Sequence, residues 1–243
     1  LHSTSRRQRQ MCIRDRIKSN IYTSLISVLF PGMSKINDEG EKVKALSRKS
    51  IRVLTYIIYP LMTGLLVVAE PLTIFLYTEK WIAMVPFVWV VCIEAIFSVP
   101  GTITLQSVKA MGYSDKMLKA EIFKKPILIL SIIIAMQYGV MAIALTLPLN
   151  TLLEFVINGV MAHKTVDYSI REQLWDCLPA TIMSVLMGAG VLLVAHLPLG
   201  LGTIALLFVE ILVGIVIYVL LSVITRNEEF MALASMAKQY LKR

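Results

Sequence analysis

The sequence is poor in charge. Only 16% of its 243 residues are Asp, Glu, Lys or Arg, and 57% are hydrophobic. A water-soluble domain carries about a quarter charged residues. A soluble fold could not hide so much apolar surface, so the expected solvent is the bilayer. Cysteine is scarce as well. Cys12, Cys92 and Cys177 are scattered and form no CxxC pair, which argues against a disulfide framework or a thiolate zinc site. The three histidines, His2, His163 and His196, lie apart from one another and outside the apolar runs. HExxH, P-loop and GxSxG patterns are absent, and no hydrophilic stretch is long enough to build an aqueous catalytic domain. The pattern therefore argues against an enzyme and implies neither cofactor nor metal. A net charge of +8 would suit nucleic acid, but the basic residues sit in short connections between apolar runs. That placement carries topology, and no nucleic-acid partner is expected.

What the sequence has is apolar runs, at roughly 17–33, 53–77, 82–105, 122–138, 140–161, 177–195 and 201–225. A spanning helix needs about 20 residues, which most of these supply and the first only just reaches. The sequence predicts an all-α polytopic transmembrane bundle of about seven spans. Lys and Arg alternate between the connections. Lys35, Lys42, Lys44, Arg48, Lys49 and Arg52 follow the first run, and Lys80 alone follows the second. Lys109, Lys116, Lys119, Lys124 and Lys125 follow the third, Lys164 and Arg171 the fifth, and none the fourth or sixth. Arg226, Lys238, Lys242 and Arg243 occupy the tail. The positive-inside rule puts the basic connections and the C-terminus in the cytoplasm. An odd number of spans leaves the arginine-rich start, LHSTSRRQRQMCIRDR, on the wrong face. Residues 1–16 therefore read as a non-native tail, and the rest as the later part of a longer protein. Residues 226–243 read as a cytoplasmic amphipathic tail, with Phe230, Leu233, Met236 and Tyr240 at helical spacing.

Polar residues inside apolar runs carry the functional expectations. A carboxylate at mid-bilayer costs about 2.5–3.5 kcal/mol, so each asks for a reason. Glu94 lies mid-run. Glu154 is flanked by Asn150 and Asn158 at spacings of four, which places the three on one helix face. Glu94, Glu154, Asn150 and Asn158 are candidates for ion coupling; the alternative is a carboxyl hydrogen-bonded to a neighbouring helix and serving packing. The same choice applies to Glu210 and Glu70. In the first run Asn20, Thr23, Ser24 and Ser27 form a polar stripe opposite an apolar face, which either lines an aqueous cavity or joins another helix. Pro31-Gly32, Pro60 with Gly64, Pro100-Gly101, Pro148, and Gly188 with Gly190 interrupt spans, as in transporters and in static bundles alike.

Two stretches, VLFPGMSKINDEGEKVKALSRKSIR with YPLMTGLLVVAEPLTIFLYTEKW, and SVKAMGYSDKMLKAEIFKK, resemble a known family. Phe30, Pro31 and Ser34 close an apolar helix before a basic loop. Pro60 follows in the next helix, then Ala69, Glu70 and Pro71, then Lys80 and Trp81; later come Ala110, Gly112 and Asp115. In order and spacing these are similar to the polysaccharide-transport branch of the multidrug/oligosaccharidyl-lipid/polysaccharide exporter (MOP) superfamily, the Wzx-like O-antigen and exopolysaccharide flippases. The resemblance covers roughly Ser24 to Lys125. The glycine expected in the outer turn near Thr78 is absent. The resemblance implies a MATE-like fold of two pseudo-symmetric lobes around a cavity. Residues 17–165 would be the five-helix part of the second lobe, and 166–225 two additional C-terminal helices. It implies an isoprenoid-diphosphate-linked oligosaccharide as substrate, flipped across a bacterial or archaeal plasma membrane by ion-coupled alternating access. It implies as partners membrane lipids, the absent N-terminal lobe and the polysaccharide polymerase machinery. The alternatives are a MATE-type multidrug or cation antiporter, and a membrane-embedded glycosyl- or acyltransferase.

Overall fold

The structure, a computed structural model, describes residues 40–197, 202–227 and 229–231. Among them there is no strand. The helices are α1 (Gly40–Val67), α2 (Ala69–Tyr77), α3 (Val85–Ala110), α4 (Ser114–Ala135), α5 (Val140–Val166), α6 (Ile170–Ala195) and α7 (Thr203–Ile224), with 3-10 turns at Glu79–Met84 and Met136–Tyr138. Among the described residues, five stretches are long and apolar enough to cross a bilayer: Gly40–Val67, Glu79–Ala110, Val140–Val166, Ile170–Ala195 and Thr203–Ile224. The expected first span lies outside the described residues. The expected fourth belongs to α4, a mixed helix. Lys119, Glu121, Lys124 and Lys125 occupy its first half, so its uninterrupted apolar stretch begins only at Pro126.

The expected second span is two helices. Pro71 has no N–H to donate to the carbonyl of Val67, and the chain offsets at Val68 before α2 resumes. The N–H groups of Val68 and Leu72 still reach Gly64 O at 3.0 Å and Val68 O at 2.9 Å, so the backbone is nearly satisfied across the break. Glu70 sits exposed in the first turn of α2, where a negative charge suits the helix dipole.

The turn after α2 explains the missing glycine. Thr78 adopts φ 77 and ψ 166, a region open essentially to glycine alone that costs other residues about 1–3 kcal/mol. The corresponding turn before α5 has Gly139 at φ 95 and ψ −180. Thr78→Gly is expected to raise stability by about 1 kcal/mol, the relieved strain less glycine's entropic cost. Thermal melting in detergent checks this, with Thr78→Ala showing no comparable gain. Tyr77 and Trp81 flank the turn, both exposed, with ring centroids 6.2 Å apart, as interfacial aromatics are placed. Gly112, at φ 78, ends α3, and its N–H donates to Lys109 O at 3.0 Å.

The core lies between α1, α3, α5 and α6, where Val43, Ile51, Leu54, Val99, Ile103, Ala162 and Tyr168 meet. The seam of α1 with α3 and α6 is also lined with small polar groups. The hydroxyls of Ser47 and Ser107 lie 2.5 Å apart, and Thr104 Oγ1 donates to Gln173 Oε1 at 2.9 Å. Small hydroxyl residues allow close approach of helices where no hydrophobic force drives them together. α7 packs on α6 and α2 along Leu207, Glu210, Gly214, Tyr218 and Ser222. It is clamped to α1: Tyr56 Oη donates to Ser222 Oγ, and Tyr218 Oη to Tyr56 O, both at 2.7 Å. Glu210 is 3% exposed, and its Oε2 has no hydrogen-bond partner among the described residues. Desolvating a polar atom without compensation costs about 1–3 kcal/mol. Glu210→Leu is therefore expected to stabilise by about that much, read as a higher melting temperature in detergent.

Candidate functional site

The polar residues of α5 recur every four positions, at Thr146, Asn150, Glu154 and Asn158. The packing separates them. Asn150 Nδ2 donates to Ser131 Oγ on α4 at 3.0 Å and to Thr146 O at 2.7 Å. One turn down, Glu154 is exposed. Asn158 is buried, and its Nδ2 donates to Gly101 O on α3 at 3.2 Å. That contact is possible because Gly101 lets α3 approach α5: a side-chain carbon there would lie 3.4 Å from Phe155 Cα. Across the α3–α5 contact Thr151 Oγ1 donates to Glu94 Oε1 at 3.5 Å. Glu94, Asn150 and Asn158 are thus brought to one three-helix seam, and Glu154 points out of it.

The seam holds a cation that the sequence reading left in a loop. Lys124 is 4% exposed. Its ammonium donates to Asn158 Oδ1 at 3.4 Å and pairs with Glu121 one turn back, which Lys125 also approaches at 3.8 Å. A buried charge persists only when paired and hydrogen-bonded, and both conditions are met. Polar groups thus run about 12 Å along α5 from Asn150 to Asn158 and end at a lysine.

A second ionic cluster joins α1 to α6. Asp176 accepts from Arg48 Nε at 2.8 Å, Arg48 Nη2 at 3.1 Å, Arg52 Nε at 2.8 Å and Tyr168 Oη at 2.9 Å. Its side chain is 1% exposed. Lys44 pairs with Glu172 at 3.0 Å, and Glu172 closes a capping box with Ser169 at the start of α6. Burial, and then the Asp176 carboxylate, push the Tyr168 phenol well above its ordinary range, so it remains a donor. This cluster was missed because the expected sixth span was started at Cys177. The signal was present: Lys44, Arg48 and Arg52 repeat at the same spacing as Glu172 and Asp176, one ladder facing the other.

Of the family-motif residues, Glu70, Pro71, Lys80, Trp81 and Gly112 fall in helix breaks, turns and caps. Asn20, Thr23, Ser24, Ser27, Phe30, Pro31 and Ser34 lie outside the described residues. No group of His, Cys, Asp and Glu able to hold a metal occurs among the described residues.

A family described as polysaccharide biosynthesis protein matches residues 11–86. The lipopolysaccharide biosynthesis protein WzxC of Escherichia coli K12 is 29% identical over 136 residues, which is 56% of this chain and 27% of WzxC. An uncharacterized membrane protein in the cps region of Klebsiella pneumoniae is 35% identical over 75 residues, which is 31% of this chain and 16% of that protein. In three dimensions the lipid II flippase MurJ, in an inward closed conformation, superposes with a TM-score of 0.65 at 18% identity, over 87% of this chain and 46% of MurJ. The chain thus spans less than half the length of each of these proteins. It is a multi-pass membrane protein that shares the fold of that flippase and is similar in sequence, over about half its length, to WzxC.

Proposed function

We propose that this protein moves an isoprenoid-diphosphate-linked oligosaccharide across the plasma membrane for surface-polysaccharide assembly, by alternating access coupled to an ion gradient. The observation that carries this reading is the polar seam of α3, α4 and α5 within a flippase fold. Neutral polar residues can serve packing between membrane helices, but ionisable ones inside a span default to a functional role. This seam holds Glu94, Asn150, Asn158 and Lys124, and leaves Glu154 open beside them. A carboxylate facing lipid is disfavoured by about 2.5–3.5 kcal/mol, so Glu154 faces water or another protein element. A second lobe of the kind the resemblance implies would supply both. Glu94 and Glu154 are then the coupling carboxylates, with Asn150 and Asn158 orienting the path. The polar stripe from Asn20 to Ser27 borders the same cavity, residues 17–165 form the lobe, and residues 166–225 are appended to it through the Arg48–Asp176 contact.

The relatives' names support this reading over a drug or cation antiporter. The test is genetic. Deleting the complete gene should abolish surface polysaccharide while lipid-linked oligosaccharide accumulates inside the cell, and the complete gene should restore it. An antiporter would leave polysaccharide intact and alter drug sensitivity. A transferase would leave the lipid-linked intermediate unmade.

A further inference from the structure

At the basic end of the bundle the start of α6 and the exit of α7 enclose a cleft of about 380 Å³ against α1, lined by Arg52, Tyr56, Trp175, Pro179, Arg226 and Glu229. Its depth in the membrane is set by its neighbours. The apolar run of α7 ends at Ile224, and the outward face of α6 carries Leu174, Leu178 and Ile182, all exposed. Trp175, 60% exposed, stands at the boundary between that apolar surface and the charged end, the depth of phospholipid headgroups.

The charges around the cleft do not balance. Both carboxylate oxygens of Asp176 are occupied by Arg48, Arg52 and Tyr168, so two guanidiniums share one carboxylate and leave an unbalanced positive charge. Arg52 is partly exposed on the cleft wall. Opposite it stands Arg226, exposed, in a left-handed turn at φ 47 held by its N–H to Val223 O at 3.2 Å. Its side chain has no ion pair or hydrogen bond among the described residues. Asn227 Oδ1 accepts from the backbone of Glu229 and Phe230 at 3.0 and 3.3 Å, which fixes the turn and places the Glu229 carboxyl on the same cleft. Phe230 packs on the cluster of Tyr56, Met183, Met187 and Tyr218 and anchors that turn.

We propose that this cleft binds the headgroup of a zwitterionic phospholipid carrying both a phosphate and a primary ammonium. The phosphate lies between Arg226, whose guanidinium fork suits it bidentately, and the side of Arg52 turned away from Asp176. The ammonium lies against Glu229, and Trp175 packs on the glycerol and upper acyl chain. A purely anionic headgroup would place its second negative charge or its hydroxyls against Glu229. A headgroup without a primary ammonium would leave that carboxylate with fewer donors.

The experiment uses the complete protein, delipidated in detergent, with phosphatidylethanolamine, phosphatidylglycerol or phosphatidylcholine added, and retention read by native mass spectrometry. Phosphatidylethanolamine should be retained in preference to the other two. Arg226→Gln and Glu229→Gln should each lower its retention by about tenfold, the effect of one lost charge-assisted contact. Neither change should shift melting in the lipid-free state appreciably, because neither side chain has an ion pair or hydrogen bond among the described residues. Retention unchanged in both variants would overturn the proposal. So would phosphatidylglycerol held as well as phosphatidylethanolamine, which would mark general attraction to a basic membrane face. A variant that melts early without lipid is replaced by Arg226→Lys, which keeps the charge but loses the bidentate fork and should show an intermediate loss.

Discussion

Asp176→Ala destabilises the protein by about 3–5 kcal/mol, the cost of leaving buried charges without their partner. Asp176 is the counter-ion of Arg48 and Arg52 and the acceptor of Tyr168 Oη. Removing it sets two guanidiniums side by side and strands a buried phenol. Asp176→Asn keeps the shape and an acceptor oxygen but loses the charge, so its cost is smaller than that of alanine yet still above 1 kcal/mol. Arg48 and Arg52 reach solvent through their outer nitrogens, which moderates the penalty toward the lower end of the range. The change is read as the shift of the thermal midpoint in detergent, with Arg171→Ala, on the exposed side of the same helix, as the control. Because the contact joins α1 to α6, the loss should appear first as detachment of α6 and α7, seen as faster protease cleavage in the connection at 167–169.

Glu94→Gln with Glu154→Gln, in the complete protein, lowers coupled transport by about 5- to 150-fold, the span of an ordinary coupling free energy between two sites. Both changes preserve size and hydrogen-bonding atoms, so the fold and the Thr151 contact with Glu94 persist. On the proposed coupling role, what disappears is the ability to bind an ion or exchange a proton. The pH or ion dependence of the residual transport should flatten along with the rate. Melting equal to wild type together with transport equal to wild type would return both carboxyls to a packing role. Thr151→Val, which removes a neutral contact only, should cost transport far less.

Much of the fold could be read from hydropathy, because helices that must bury their backbone polar groups in lipid announce themselves as long apolar runs. The boundaries were less visible where charge enters a helix. Asp176 falls just outside the apolar run that begins at Cys177, and Lys124, inside the run from 122, reads as part of a basic connection because charge normally marks the end of a span. What keeps each inside is a specific partner on another helix, Arg48 in one case and Asn158 in the other. The seam on α5 shows a second limit. A spacing of four drifts about 40° per step on a helix of 3.6 residues per turn, and burial depends on which neighbour covers each turn. α4 covers Asn150 through Ser131 and Asn158 through Lys124, and leaves Glu154 between them uncovered. Thr78 shows the reverse case. The absent glycine was noticed in the sequence, and the backbone there has kept the conformation that a glycine would favour.

The proposal that the complete protein moves a lipid-linked oligosaccharide is tested most directly by reconstitution. The complete protein is placed in vesicles carrying an isoprenoid-diphosphate oligosaccharide in one leaflet, and appearance of the glycan in the other is followed with an impermeant glycan-cleaving enzyme. The account predicts transfer that requires the protein, accelerates when an ion gradient is imposed, and collapses in the Glu94→Gln and Glu154→Gln variant. Transfer no faster than in protein-free vesicles, with or without the gradient, would contradict it.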